Sequence, residues 1–326
     1  MLKIHFSGED ILRTRVAPAA NPVWEAVLSL HLLPKRTGDP LLSGWRRDVL
    51  RDLYREENVD GLRLLLALNP PRGYFPDFLT PYESVDGFEA GMEAVRRTPV
   101  SLLHRDLTLV ANTRSLPADA GALARGEPGA LEQLTTAMGR YRELALGPYW
   151  THVQAAVEAD RARRARTLLD GGVKGLLTGL RPGVRWDSGI LEIPGYPNSR
   201  ELHLEGRGLL LVPSFFCADT PVALLDPELP PVLVYPVDRL GGLASGKPEK
   251  ANAALAALLG RTRAAVLAAS DEGCSTGELA RRLYISPAAV SQHTTVLRNA
   301  GLLVSHRDRN TVLHTLTPLG RAILNT

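Results

Sequence analysis

Two cysteines in 326 residues, Cys217 and Cys274, cannot build a disulfide framework and leave too few thiols for a cysteine-rich metal site. A reducing, cytoplasmic setting is therefore expected. No stretch approaches the ~18 uninterrupted apolar residues of a membrane span, and the longest, such as Leu209–Pro213, suit strands. The opening MLKIHFSGED puts acidic residues where a signal peptide needs its apolar core, so export is not expected. Histidines 5, 31, 104, 152, 203, 293, 306 and 314 form no i, i+4 pair. There is no H-E-x-x-H helix and no G-x-S-x-G elbow. The sequence thus points to no catalytic residue, no metal site, no cofactor and no membrane partner.

What is present is ordinary globular composition, with 44% hydrophobic and 22% charged residues and a mean hydropathy of −0.05. The length leaves room for about two domains. The formal charge of +3 is unevenly spread: from Ala251 onward eight arginines face four acidic residues, leaving residues 1–250 slightly negative. A basic module beside a near-neutral one suggests a polyanionic partner for the module.

Composition divides the chain at Gly241-Gly242-Leu243-Ala244-Ser245-Gly246-Lys247-Pro248, a linker spanning 241–250. The same stretch nearly spells a phosphate-binding loop, but Pro248 stands where a Ser or Thr hydroxyl must hold magnesium. Before the linker, residues 1–240 read as a strand at Leu2–Phe6 and a capped turn from Ser7. Helical patterns follow at 22–33, 43–56, 58–68, 84–96, 128–145 and 149–180. In the last, Trp150, Val153, Val157, Ala165, Leu168 and Leu169 share one side. The basic run Arg161, Arg163, Arg164 and Arg166 reads as a solvated face with internal ion pairs or as an accessory phosphate contact. From Val184 the pattern becomes short strands near 190–193, 201–204, 208–212 and 232–235. Glu205-Gly206-Arg207 would turn the chain within an antiparallel meander. The expected class is α+β: a helical part (about 7–182), an antiparallel β-rich part (about 184–237), then a winged helix-turn-helix over 251–326.

The tail is the informative part. Ser275-Thr276-Gly277-Glu278 fits a capping box. Ser286 caps a second helix with Pro287 in its first turn, and Gly301 ends it. Over this second helix the 100° step turns Val290, His293, Thr294 and Leu297 inward. It turns Ala288, Ser291, Gln292, Thr295 and Asn299 outward, with Arg298 near the edge. From Ser286 to Ala300 there is no acidic residue. A slim, polar, acid-free face can enter a major groove and bond base edges and phosphates. Two strands follow, 302–304 and 311–316, with Arg307, Arg309 and Asn310 at the tip of the hairpin between them. Such a wing places arginines against phosphates or the minor groove.

Together, Glu278-Leu279-Ala280, Ile285–His293 and Val296–Leu303 resemble the ArsR/SmtB-type winged-helix repressors. The resemblance implies operator DNA as partner and a homodimer built on the domain's first and last helices. It also implies DNA-facing roles for Ser286, Pro287, Ala288, Ser291 and His293, although the helical wheel puts His293 at the core boundary. The chain departs from the family's metal patterns. Ser275 and Gly277 stand at the Cys-x-Cys positions, and Pro318–Asn325 holds neither Asp nor His. Arg309-Asn310 replaces the usual Gly-Arg of the wing tip. The region around Trp150, Glu158–Asp160, Val184-Arg185-Trp186 and Gly206-Arg207-Gly208 also resembles the long N-terminal region of some actinobacterial members.

The expected function is thus a DNA-binding transcriptional regulator, a homodimeric repressor in which residues 1–240 dimerise and sense a small-molecule effector. Trp186, Tyr196, Arg207, Phe215, Phe216 and Tyr235 are candidates for the effector pocket, against plain core packing. Two alternatives stand beside this: an N-terminal enzyme with a winged-helix appendage, and a winged helix used for protein contact.

Overall fold

The computed structural model describes residues 1–34, 42–55, 61–70, 73–180, 183–197, 199–218, 220–239, 255–270, 273–308 and 311–324. The expected linker, 241–250, lies outside them. The chain separates into two compact units, Met1–Gly242 and Leu243–Thr326.

In the first unit, β1 (Leu2–His5) leads into α1 (Gly8–Arg13) and the short β2 (Arg15–Val16). Ser7 caps α1: its hydroxyl oxygen accepts from the Asp10 N–H at 3.2 Å. Helices α2 (Pro22–Leu32), α3 (Ser43–Arg55), α4 (Leu62–Leu68) and α5 (Phe88–Arg96) follow. Next come α6 (Val100–Ala111), α7 (Ala120–Ala124), α8 (Pro128–Ala145) and α9 (Trp150–Thr178). The sequence reading placed no element at α6 or α7. In α6 the buried positions Leu103, Asp106, Leu107 and Val110 are helically spaced, but a buried carboxylate interrupts the apolar stripe.

α9 departs from its expected face. Val153 and Val157 are buried, whereas Leu169 is 85% exposed. A break at Gly172, φ 59°, redirects the chain so that Leu176 and Leu177 reach the core instead. Within the arginine run, Arg164 is buried rather than solvated. Its guanidinium donates to both carboxylate oxygens of buried Asp160, at 3.1 and 3.2 Å. Tyr235 donates to the same carboxylate at 2.7 Å. A buried charge persists only when it is paired and hydrogen-bonded in this way. Arg161 and Arg163 form the ion pairs expected of a helix face, with Glu158 and Asp160.

Strands β3 (Arg185–Asp187), β4 (Ile190–Ile193), β5 (Arg200–His203), β6 (Leu210–Ser214), β7 (Val222–Ala223) and β8 (Val232–Pro236) complete this unit. They do not form an antiparallel meander. One sheet is ordered β3-β4-β1-β5, with β1 parallel to β5. The other is ordered β2-β6-β8-β7, with β2, β6 and β8 parallel. Glu205-Gly206-Arg207 therefore links two sheets instead of closing a hairpin. Gly208 (φ 74°) sits so close to Arg13 that a Cβ would lie 2.7 Å from that residue's carbonyl oxygen. Leu2, Ile4, Leu191, Leu202, Leu211 and Leu233 form the core of the β-rich part.

The helices are tied to β6 by Glu25, which is fully buried. Its carboxylate accepts from the Ser214 hydroxyl (2.8 Å) and the N–H groups of Phe215 (2.8 Å) and Phe216 (2.9 Å). Burial pushes this carboxyl up to about 7 against the pull of those three donors.

In the second unit, α10 (Arg261–Ala269) precedes β9 (Cys274–Ser275), α11 (Thr276–Leu283) and α12 (Pro287–Asn299). β10 (Leu303–Asp308) and β11 (Thr311–Leu316) form an antiparallel hairpin that β9 extends to three strands, and α13 (Pro318–Leu324) closes the unit. Val266, Leu267, Leu279, Val290, Leu297, Leu302 and Leu303 make its core, and Cys274 packs among them. No helix among the described residues is long and apolar enough to cross a membrane.

Candidate nucleic-acid interface

Two local devices set the recognition element. At the start of α11 the Ser275 hydroxyl oxygen accepts from the Glu278 N–H at 3.2 Å, and the Glu278 carboxylate accepts from the Ser275 N–H at 3.0 Å. That N–H, with the Ser275 hydroxyl, holds the Glu278 carboxyl below its ordinary value. α11 ends at Tyr284, which takes the left-handed conformation (φ 53°, ψ 42°) and is 95% exposed. Ser286 then caps α12 by accepting from the Ala289 N–H at 3.2 Å. Pro287 occupies the first turn, where its missing N–H costs nothing.

The faces of α12 fall as helical spacing demands. Val290, Thr294 and Leu297 are buried. Pro287, Ala288, Ser291, Gln292, Thr295, Arg298 and Asn299 are exposed, and so is the cap Ser286. His293 is half-buried, at the edge of the core. Ser291 donates its hydroxyl to the Pro287 carbonyl at 3.0 Å, which leaves the oxygen free to accept. Val296 adds an apolar patch, 47% exposed, that the wheel did not single out.

A shallow groove of about 620 Å³ runs along this face, lined by Arg263, Ser291, Gln292, His293, Thr295 and Val296. Arg263 comes from α10, and sequence pattern alone does not place it on this face. Its proximity depends on the packing of α10 against α12, which no local spacing reveals.

The wing carries Arg307, exposed on β10 opposite Val312. Arg309 and Asn310 lie outside the described residues. His314 anchors the hairpin to α11. Its Nε2 bonds Thr276 Oγ1 at 2.9 Å and its Nδ1 bonds Ser305 Oγ at 2.8 Å. Burial, with a smaller contribution from the Arg298 charge, holds this imidazole below its ordinary value.

The six effector candidates occupy several settings in the first unit. Tyr235 is in the β-rich core, with Trp186 and Tyr196 packed against it. Phe215 and Phe216 are fully buried edge to face, and Phe216 also packs on Trp45. Arg207 donates to the backbone carbonyls of His203, Leu204, Pro227 and Leu229, pinning a loop. The first unit instead has a cavity of about 540 Å³ whose walls include Phe78, Tyr82, Leu102, Arg105, Leu224 and Leu229. Asp77 sits in its lining. Burial pushes that carboxyl up to about 6, although the N–H groups of Asp226 and Leu225 pull it down.

A capped helix pair, an exposed acid-free recognition helix and a three-stranded wing define a winged helix-turn-helix of the DNA-binding class. Residues 263–305 match the family described as bacterial regulatory protein, arsR family. The protein is a DNA-binding transcription regulator with an arsR-type domain at its C-terminal end. No curated protein and no solved structure matches the chain.

Proposed function

We propose that this regulator is a homodimeric repressor that reads a two-fold operator in the cytoplasm, under the control of a small molecule held by residues 1–240. The observation that carries the reading is the exposed row of α12. Ala288, Ser291, Gln292, Thr295 and Arg298 project from a helix whose opposite row is buried and which has no acidic residue. A side chain of Gln or Ser can bond base edges, while the small Ala288 and Ser291 let the helix backbone approach the groove closely. Two such helices in a two-fold dimer would meet half-sites about one duplex turn apart.

The cavity between α5, α6 and the 224–230 loop supports the effector part of the reading. Its size and mostly apolar wall suit a small ligand. An effector that binds one arrangement of this unit better than another would shift the operator-competent population.

The test is a fluorescence-anisotropy titration of full-length protein against the duplex upstream of its own gene and against a scrambled duplex, at one salt concentration. The reading requires tighter binding to the first, and equal affinities would sink it. Ser291→Ala with Gln292→Ala should narrow the gap between the two duplexes. Sedimentation equilibrium of the free protein checks the dimer.

A further inference from the structure

Strand pairing sets side by side two histidines that sequence spacing kept apart. β1 and β5 run parallel with His5 opposite His203 and Lys3 opposite Glu201. Alternate residues of a strand share a face, so His5, Glu201 and His203 lie together, on the side away from Leu2, Ile4 and Leu202 in the core. His5 Nε2 is 3.1 Å from Glu201 Oε2, and His203 Nε2 is 3.9 Å from the same oxygen. One ligand atom from each of the three residues lies within 4.8 Å of the others, a grouping found once among the described residues.

We propose that His5, Glu201 and His203 form a binding site for a divalent cation of the zinc class, with water completing the coordination. Two imidazole nitrogens and one carboxylate oxygen are borderline donors. They suit Zn²⁺, Co²⁺ or Ni²⁺ better than the all-oxygen ions Ca²⁺ and Mg²⁺ or the thiolate-seeking Cu⁺. Bonds of about 2.0–2.2 Å in a tetrahedron hold ligand atoms roughly 3.3–3.6 Å apart. Glu201 and His5 lie just inside that spacing, and His203 must close on Glu201 by about 0.3–0.6 Å. The two rings stack at 4.2 Å and 11°, so each must turn about its Cβ–Cγ bond to aim a lone pair at the ion. Side-chain exposures of 26% for His5, 57% for Glu201 and 58% for His203 leave room for this. The ion takes the place of the hydrogen bond between His5 and Glu201, the neutral imidazole binding through Nε2 as its Nδ1–H tautomer. Lys3, on the same face, is held by Glu192 at 3.8 Å, which offsets its charge. Once bound, the ion clips β1 to β5 across a very long chain loop.

The test uses untagged, full-length protein and Co²⁺ as a spectroscopic probe, followed by zinc competition against a chromophoric chelator. One cobalt per chain with four-coordinate visible absorption, displaced by zinc, is expected. His203→Ala and Glu201→Gln should each weaken zinc binding by at least about tenfold, the scale already known for outer-shell partners. His203→Gln provides the same comparison if alanine disturbs the edge strand. Zinc should also raise the thermal unfolding midpoint of the unaltered protein, by mass action. Absence of a cobalt band, a thiolate charge-transfer band in its place, or unchanged affinity in the His203 variants would overturn the site.

Discussion

Replacing Arg307 by alanine should alter the salt dependence of DNA binding by an amount the structure lets one estimate. Arg263, Arg298 and Arg307 are exposed around the recognition helix and wing, and among the described residues none has an acidic partner. Counted as one phosphate each in both halves of the proposed dimer, they would neutralise about six phosphates. The slope of log K against log salt is then about −5.4, so affinity falls roughly 2,000-fold between 50 and 200 mM salt. Losing Arg307 from both halves lowers the count to about four, the slope to about −3.6 and the fall to roughly 150-fold. Anisotropy titrations at four or five salt concentrations measure both slopes, and Arg307→Lys should restore the steeper one. An Arg307→Ala slope equal to that of the unaltered protein would show that the wing does not touch phosphate.

Other consequences concern the same unit. A Cβ at Gly320 would stand 2.1 Å from the Leu302 carbonyl oxygen, an atom already accepting from the Thr317 N–H at 3.1 Å. Gly320→Ala should therefore destabilise the unit by about 1–3 kcal/mol, measured by urea unfolding followed by helical circular dichroism. Tyr284→Gly should instead stabilise it by roughly 0.5–1 kcal/mol. It relieves a left-handed conformation costing about 1–2 kcal/mol, less the extra freedom of the unfolded glycine, and loses no packing because Tyr284 is 95% exposed. A loss of stability there would refute the strain argument. His314 stays neutral in the folded unit below the ordinary 6.5 at which it titrates when unfolded. Protons then bind the unfolded state preferentially, so stability holds above that value and declines as pH falls through it. Protection of the β10–β11 amides, with exchange rates corrected for their intrinsic pH dependence, should fall on acidification, and His314→Gln should blunt the change.

The parts of the interface that could be read from the sequence are those made by neighbours in the chain. The Ser275–Glu278 box, the Ser286 cap with Pro287, and the turn at Gly301 depend on contacts three or four residues long. The inward row Val290, Thr294 and Leu297 follows from the helical repeat alone. His293, left at the boundary by its angle on the wheel, is half-buried. The first unit was less legible. Asp106, Asp160, Arg164 and Glu25 are buried polar groups, and each breaks the apolar periodicity by which a helix face is found. Their burial becomes affordable only through partners far along the chain, such as Ser214 for Glu25 and Tyr235 for Asp160. Of the aromatic pocket candidates, Phe215, Phe216 and Tyr235 are buried and Trp186 and Tyr196 are half-buried against the core; aromaticity marks burial as readily as it marks a ligand site.

By itself, then, the order of residues determined the helix-turn-helix, its hairpin and the side of α12 left free, because short-range hydrogen bonds and a 3.6-residue repeat need no distant partner. Only the folded chain decided that β1 lies between β4 and β5, that Arg263 joins the recognition face, and that His5 meets His203. Strand pairing and helix packing are settled by the burial of surfaces far apart in sequence, and nothing in a local pattern records which surfaces those will be.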